Sequence, residues 1–308
     1  MRVKVWGARG SIPTPGRETV RYGGNTSCVQ ATLSDGTHIV LDAGTGIRNL
    51  TLPGDDAGAV HILLTHLHLD HIQGLLFFAP LFQPGNDVTI WGPSAPISSL
   101  RDRIARYLSA PLTPVELREL PCKLEFRDCP AGEWSIGSAR IRAEAVNHRG
   151  PTLGFTIAEP GASFCYIPDH EPALIGPIAE LDPAWISGHS LALDVDLLLH
   201  DCQYTDEEYP DHFGWGHSSV SDALTFAQRA RAKRTLLSHH DPYHSDDQLD
   251  AIYEGALRRW QEIGGEPHAI EMAVELGEID VGSAPRPPIA GPEPRASAVP
   301  LSVRASAP

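Results

Sequence analysis

The stretch Val60-His61-Ile62-Leu63-Leu64-Thr65-His66-Leu67-His68-Leu69-Asp70-His71 decides how the rest of this chain is read. It opens as a short apolar run of the kind that forms a buried strand. It then delivers three imidazoles and one carboxylate in residues 66–71. In extended backbone the side chains at i and i+2 leave on the same side, so His66 and His68 can pinch one cation. Asp70 and His71 fall where the chain turns into Ile72-Gln73-Gly74 and can serve a second cation. Imidazole together with carboxylate suits zinc, manganese or iron. The bland alternative is a tract of surface histidines, which would lack further ligands elsewhere in the chain.

Further ligands are present, and they recur in one kind of place. His38-Ile39-Val40-Leu41 runs into Asp42, and Ile141–Val146 runs into Asn147-His148. Phe164–Ile167 runs into Pro168-Asp169-His170, Val195–Leu199 into His200-Asp201, and Thr235-Leu236-Leu237 into Ser238-His239-His240. Each is a polar, metal-competent group at the carboxyl end of an apolar run. Open α/β sheets place ligands beyond the carboxyl ends of their strands, so the pattern predicts convergence on one edge of the domain. Helical stretches are expected near Ser94–Leu108, Ser218–Arg231 and Asp246–Ile263, the last two opened by serine N-caps. Many strands with interspersed helices predict an α/β layered domain over residues 1–281. Residues 282–308, rich in Ala, Pro, Ser and Arg, carry no apolar periodicity and are expected to form a disordered tail.

Composition narrows the chemistry. The 308 residues hold 24 basic and 39 acidic side chains, a formal charge of −15. Such a surface repels a long polyanion such as structured RNA. It does not exclude a small anion held by metal ions, whose local charge dominates a site. No apolar run is long enough to span a bilayer, and the N-terminus reads as a strand rather than a signal peptide. Five scattered cysteines without a CxxC pair predict no disulfide framework and a reducing cytoplasm, although Cys122 and Cys129 would be the pair in an oxidising compartment.

The HxHxDH string at residues 66–71, with Asp42 before it and His148, Asp169 and a histidine at 239 or 240 after it, resembles the metallo-β-lactamase superfamily. Within that superfamily Tyr166-Ile167-Pro168-Asp169, Leu199-His200-Asp201-Cys202, Gly216-His217-Ser218-Ser219 and Leu237–Pro242 resemble the phosphodiesterase branch, which includes ribonuclease Z and small cyclic-phosphate phosphodiesterases. The resemblance implies an αββα sandwich, two mixed β-sheets flanked by helices. It implies two divalent metal ions, zinc first, with manganese and iron as alternatives. His66, His68 and His148 would hold one metal, and Asp70, His71 and His239 the other, with Asp169 between them. His239 is preferred to His240 because it directly follows the apolar run. Asp42 would support the site, His217 would contact the substrate phosphate and pass a proton, and Asp201 would orient His217. His170, His200, His212 and His244 are expected behind the ligands or at the surface.

The expected reaction is hydrolysis of a small phosphodiester, cyclic nucleotide or cyclic sugar phosphate, by a metal-bridging hydroxide, with Asp70, His217 and Asp201 as the catalytic side chains. Ribonuclease Z carries an RNA-gripping arm between its third-motif histidine and its bridging aspartate. Here His148 and Asp169 are too close for one, and the interval is already taken by an apolar run and a turn. The rivals are a lactone, thioester or β-lactam hydrolase on the same metals, a ribonuclease Z-like nuclease, and a non-catalytic metal-binding scaffold. The branch also implies a possible homodimer. A cysteine-rich extra zinc site found in some of its members is not expected, since only Cys28 lies near the N-terminus. Residues 92–135 match nothing specific and are expected to shape the pocket wall. Trp91, Phe213 and Trp215 are open to base stacking, core packing or a lid. Tyr22–Cys28 reads equally as a loop lining the site or a tight turn into a strand.

Overall fold

A computed structural model describes residues 1–50, 52, 59–130 and 132–282. The tail expected at 282–308 lies, from residue 283 on, outside the described residues. Two seven-stranded sheets form the centre. The first runs in the order Glu278–Asp280, Arg2–Gly7, Cys28–Thr32, His38–Leu41, Ala59–Leu63, Asp87–Gly92, Lys123–Asp128. The second runs Ile270–Met272, Thr235–Ser238, Leu197–Asp201, Ala162–Ile167, Leu153–Glu159, Ala139–Ala145, Gly132–Ile136. Each sheet is antiparallel on one side and parallel on the other. Both are therefore mixed, as the resemblance implied.

Strand alternation explains why two sheets can stack and still be covered by helices. Leu63 faces the other sheet, while Val60, Ile62 and Leu64 pack outward beneath helix Leu100–Tyr107. Phe164, Leu197, Leu199 and Leu236 face inward, while Cys165, Ile167, Leu198 and Leu237 pack outward under helices Val220–Ala230 and Asp246–Glu262. A strand buried on both faces must be apolar at nearly every position, and these runs are, the partly buried His61 aside. Three apolar layers result: one between the sheets and one under each helical face. The helix starts are set locally. The Ser219 hydroxyl accepts from the Asp222 amide, and Ser245 forms a reciprocal capping box with Gln248.

Sequence and structure differ at the margins. Strands Gly132–Ile136 and Glu278–Asp280 were not expected; both are short, and their residues alternate only weakly in burial. The helix expected from Ser94 begins at Leu100, where the Ser99 hydroxyl caps it by accepting from the Asp102 amide. Pro96 upstream holds its preceding residue out of helical backbone. All five cysteines are free. Among the described residues no helix is long and apolar enough to cross a membrane.

Candidate metal centre

The parallel halves of the two sheets end on the same edge, and that edge collects the polar strand ends. Strand His38–Leu41 delivers Asp42, and Ala59–Leu63 delivers Thr65 and His66. His68 precedes the single-turn helix Leu69–Ile72, which carries Asp70 and His71. From the second sheet come His148, Asp169, Asp201 and His239. Two of these positions are bent in the left-handed region that side chains rarely adopt: Asp42 at φ 57° and His239 at φ 61°. Such backbone persists only where its surroundings fix it, and it often marks a functional site.

Ligand-competent atoms of His66, His68 and His148 lie within 4.8 Å of one another, as do those of Asp70, His71, Asp169 and His239. Asp169 joins the two groups through its separate oxygens. Its Oδ1 lies 3.0 Å from His71 Nε2 and 3.3 Å from His239 Nε2. Its Oδ2 lies 3.7 Å from His66 Nε2 and 3.6 Å from His148 Nε2. Asp70 Oδ2 closes the second of these groups, 3.2 Å from His71 Nε2 and 3.4 Å from His239 Nε2.

Behind the cluster, the opposite nitrogen of nearly every ring is tied down. His71 Nδ1 donates to Asp42 Oδ2 at 2.8 Å. Asp42 in turn accepts from Thr65 and from the Tyr166 hydroxyl at 3.0 Å. His148 Nδ1 donates to the Gly216 carbonyl at 2.7 Å, and His239 Nδ1 donates to Gln203 Oε1 at 2.9 Å. Thr65 Oγ1 sits 3.0 Å from His66 Nδ1. The result is a set of rings oriented by outer partners, as in metal sites generally. On the inner side, Nε2 of His66, His71 and His239 and Oδ1 of Asp169 are buried without a hydrogen-bond partner among the described residues. Orphaned buried polar atoms are rare, and four converging on one space are those a cation would satisfy. The residues present fit a pair of divalent ions.

Electrostatics agree. Burial pushes the Asp169 carboxyl up, but His239, His71 and His66 hold it well below the carboxylate range. Burial lowers His71, yet Asp169, Asp70 and Asp42 raise it well above an ordinary imidazole. His66, buried and beside His71, is held well below it. Positive charge is wanted between the two aspartates.

His217 stands beside this cluster. Its Nδ1 contacts Asp201 Oδ2 at 2.6 Å, which leaves Nε2 as its free nitrogen. Its ring centroid lies 4.9 Å from that of His148 and 4.8 Å from that of His239. Of the two neighbours at 239 and 240, only His239 joins the cluster. His240 points away, its Nε2 donating to the Ala273 carbonyl at 2.8 Å. His170 and His200 pair behind the site at 2.8 Å, His244 bonds Glu208, and His212 stacks on Tyr204.

Sequence reading missed several participants. Ser11 donates its amide to Asp70 Oδ2 at 2.8 Å, and Gly10 lies flat against the His239 ring. Gln203 and Tyr166 orient the rings as described, and Glu171 ties down the loop before His217. Tyr22–Cys28 braces rather than lines the site. Gly23 faces Glu275, and the Gly24 carbonyl holds Thr14. Trp91 is core, stacked on Trp134 at 5.5 Å, whereas Phe213 and Trp215 are exposed.

Comparison with known proteins agrees with this geometry. The model of the beta-lactamase superfamily domain matches residues 37–240. Ribonuclease Z of Kineococcus radiotolerans is 26% identical over 282 residues, covering 80% of this chain and 87% of that protein. The solved short form of human tRNase Z superposes with a TM-score of 0.60 at 23% identity, covering 91% of this chain and 99% of that one. A diphosphatase from the PhnP family superposes with a TM-score of 0.61 at 16% identity, covering 91% and 97%. The hexapeptide, the two mixed sheets and the family match agree, and the chain belongs to the beta-lactamase superfamily, with the metallo-β-lactamase fold.

Proposed function

We propose that this metal-dependent hydrolase is a dinuclear phosphodiesterase acting on a small phosphodiester. The observation that carries the reading is the His217–Asp201 pair beside the ligand cluster. His66, His68 and His148 would hold one ion, Asp70, His71 and His239 the other, and Asp169 would bridge them. Zinc fits this donor set first, with manganese or iron as alternatives. Such ions supply Lewis acidity toward a phosphoryl group and a nucleophile at neutral pH.

The chain's own residues supply the rest. Hydrolysis adds water across one P–O bond, and the departing oxygen needs a proton. Protonated His217 offers one at Nε2, and the Asp201 carboxylate across the ring balances its charge. Before transfer the same N–H donates to a phosphate oxygen. Asp201 itself is fixed by the amides of His170, Gln203 and Ser218. A carbonyl hydrolase on the same metals has no comparable use for this histidine.

Two observations favour a small substrate over structured RNA, although curated relatives of this chain are ribonucleases Z. Between His148 and Asp169 the chain holds a short bend at residues 149–152, strands Leu153–Glu159 and Ala162–Ile167 and the tight turn joining them. No arm stands there among the described residues. The charge of −15 also opposes a polyanion. Five free thiols, four of them buried, suit a reducing cytoplasm. A two-copy assembly, implied by the branch, is read directly by sedimentation. The deciding experiment is a panel of cyclic nucleotides, linear diesters, lactones and thioesters with zinc and with manganese. Turnover of diesters supports the reading, and turnover of carbonyl esters alone replaces it.

A further inference from the structure

We infer that Trp215, with Arg149 beside it, is a stacking subsite for a nucleobase, so that the diester hydrolysed is a nucleoside phosphate rather than a plain sugar phosphate. The inference deepens the phosphodiesterase reading and rests on it for where the phosphate sits.

Trp215 is 50% exposed, a large apolar ring left in water two residues before His217. Its backbone is not loose. The Glu171 carboxylate accepts from the amides of Gly214 and Gly216, both at 2.8 Å, and from the Tyr209 hydroxyl at 2.8 Å. Glu171 is itself buried. The carbonyl of Gly216 meanwhile receives His148 Nδ1. One short loop therefore orients a metal-ligating ring, carries the proton-transfer histidine and presents an indole. On its edge the indole rests against His212, ring centroids 5.0 Å apart at 81°.

Arg149 directly follows His148. Its guanidinium lies 5.9 Å from the centre of the Trp215 ring, and its Nε donates to the Gly214 carbonyl at 3.4 Å. It makes no ion pair among the described residues, although the chain carries 39 acidic side chains. An unpaired cation and a preorganised flat ring thus flank the residues that would hold the phosphate. A base has the π-face that such a ring takes up, and a sugar phosphate has none. The guanidinium adds attraction for both the ring and a phosphate oxygen.

The test is equilibrium binding to the metal-loaded protein by calorimetry, with adenosine monophosphate and ribose 5-phosphate as probes. The wild type is expected to prefer the nucleotide by roughly 5- to 150-fold, the range of a single base stack. Trp215→Ala and Trp215→Leu should both lose that preference, and Trp215→Phe should keep most of it. Leucine retains apolar bulk, so its loss with an unchanged melting temperature separates stacking from folding. Equal binding of the two probes by the wild type, or an undiminished preference in the leucine variant, overturns the inference. A short oligoribonucleotide that binds no tighter than the mononucleotide identifies a small nucleotide as the source of the base; tighter, salt-sensitive binding identifies an RNA end. Failure of the phosphodiesterase reading looks different: no hydrolysis of any diester while the preference for the nucleotide persists.

Discussion

Nδ1 of His217 and Oδ2 of Asp201 meet at 2.6 Å, and the same carboxylate accepts three backbone amides while fully buried. The imidazole is thereby fixed in direction from a rigid support. His217→Ala is expected to lower kcat on bis(p-nitrophenyl) phosphate by about 10²- to 10⁴-fold, the usual contribution of a general acid. Metal content should stay at the wild-type level, since His217 is not among the proposed ligands. Elemental analysis beside the kinetics checks both halves, and undiminished turnover would move the assignment to carbonyl chemistry.

Gly10 has no room for a side chain. A Cβ there would stand 2.4 Å from His239 Nδ1. Gly10→Ala must therefore turn the His239 ring away from the cluster, and a displacement of that size costs roughly 10²-fold in rate. Gly255, within helix Asp246–Glu262, meets only the tip of Arg258, at 3.9 Å. Gly255→Ala should leave turnover alone and stabilise the fold by about 0.5–1 kcal/mol. Parallel melting curves and rates on the two variants distinguish the site effect from a general effect of adding a methyl group.

His68 is exposed, unlike His66 and His71. Its removal opens no cavity in the core. His68→Ala is expected to abolish turnover and lower metal content toward one ion per chain, with a stability change within about 0.5 kcal/mol. Urea unfolding and elemental analysis of the same preparation provide the check; full metal content with normal turnover removes His68 from the ligand set.

The buried His200 predicts an acid limit to stability. Desolvation lowers it from 6.5 to about 4, against the smaller opposing effect of Asp201. The unfolded chain binds this proton first, so stability is complete above about pH 6.5 and is lost as pH falls toward 4. Below that both states carry the proton and this group adds no further loss. The full swing is roughly 3 kcal/mol. Urea midpoints between pH 7 and 4 measure it, and His200→Gln should flatten that slope. A slope identical in wild type and variant would remove His200 as its cause.

The convergence of the candidate ligands was legible because they follow apolar strands, and strand ends are visible in sequence. His66, His68, Asp70, His71, His148, Asp169 and His239 all come together. The choice of His239 over His240 followed the same regularity, and its physical basis is the left-handed backbone at His239, which turns the next residue toward Ala273. What stayed hidden acts through ordinary residues. Gln203 and Glu171 are polar side chains with no signature until the fold places them beside a ring or a loop. Gly10 and Ser11 precede every recognised motif and are held at the site by a bridge between Arg9 and His240 and by the Gly10 amide, which donates to the His240 carbonyl at 3.0 Å. The short edge strands Gly132–Ile136 and Glu278–Asp280 lack the doubly buried apolar runs that mark central strands.

Metal stoichiometry bears most directly on the whole account. Inductively coupled plasma mass spectrometry of the purified chain should find close to two divalent ions per molecule, with turnover lost on chelation and restored on reloading. A chain that holds no stoichiometric metal yet turns over at full rate would contradict it.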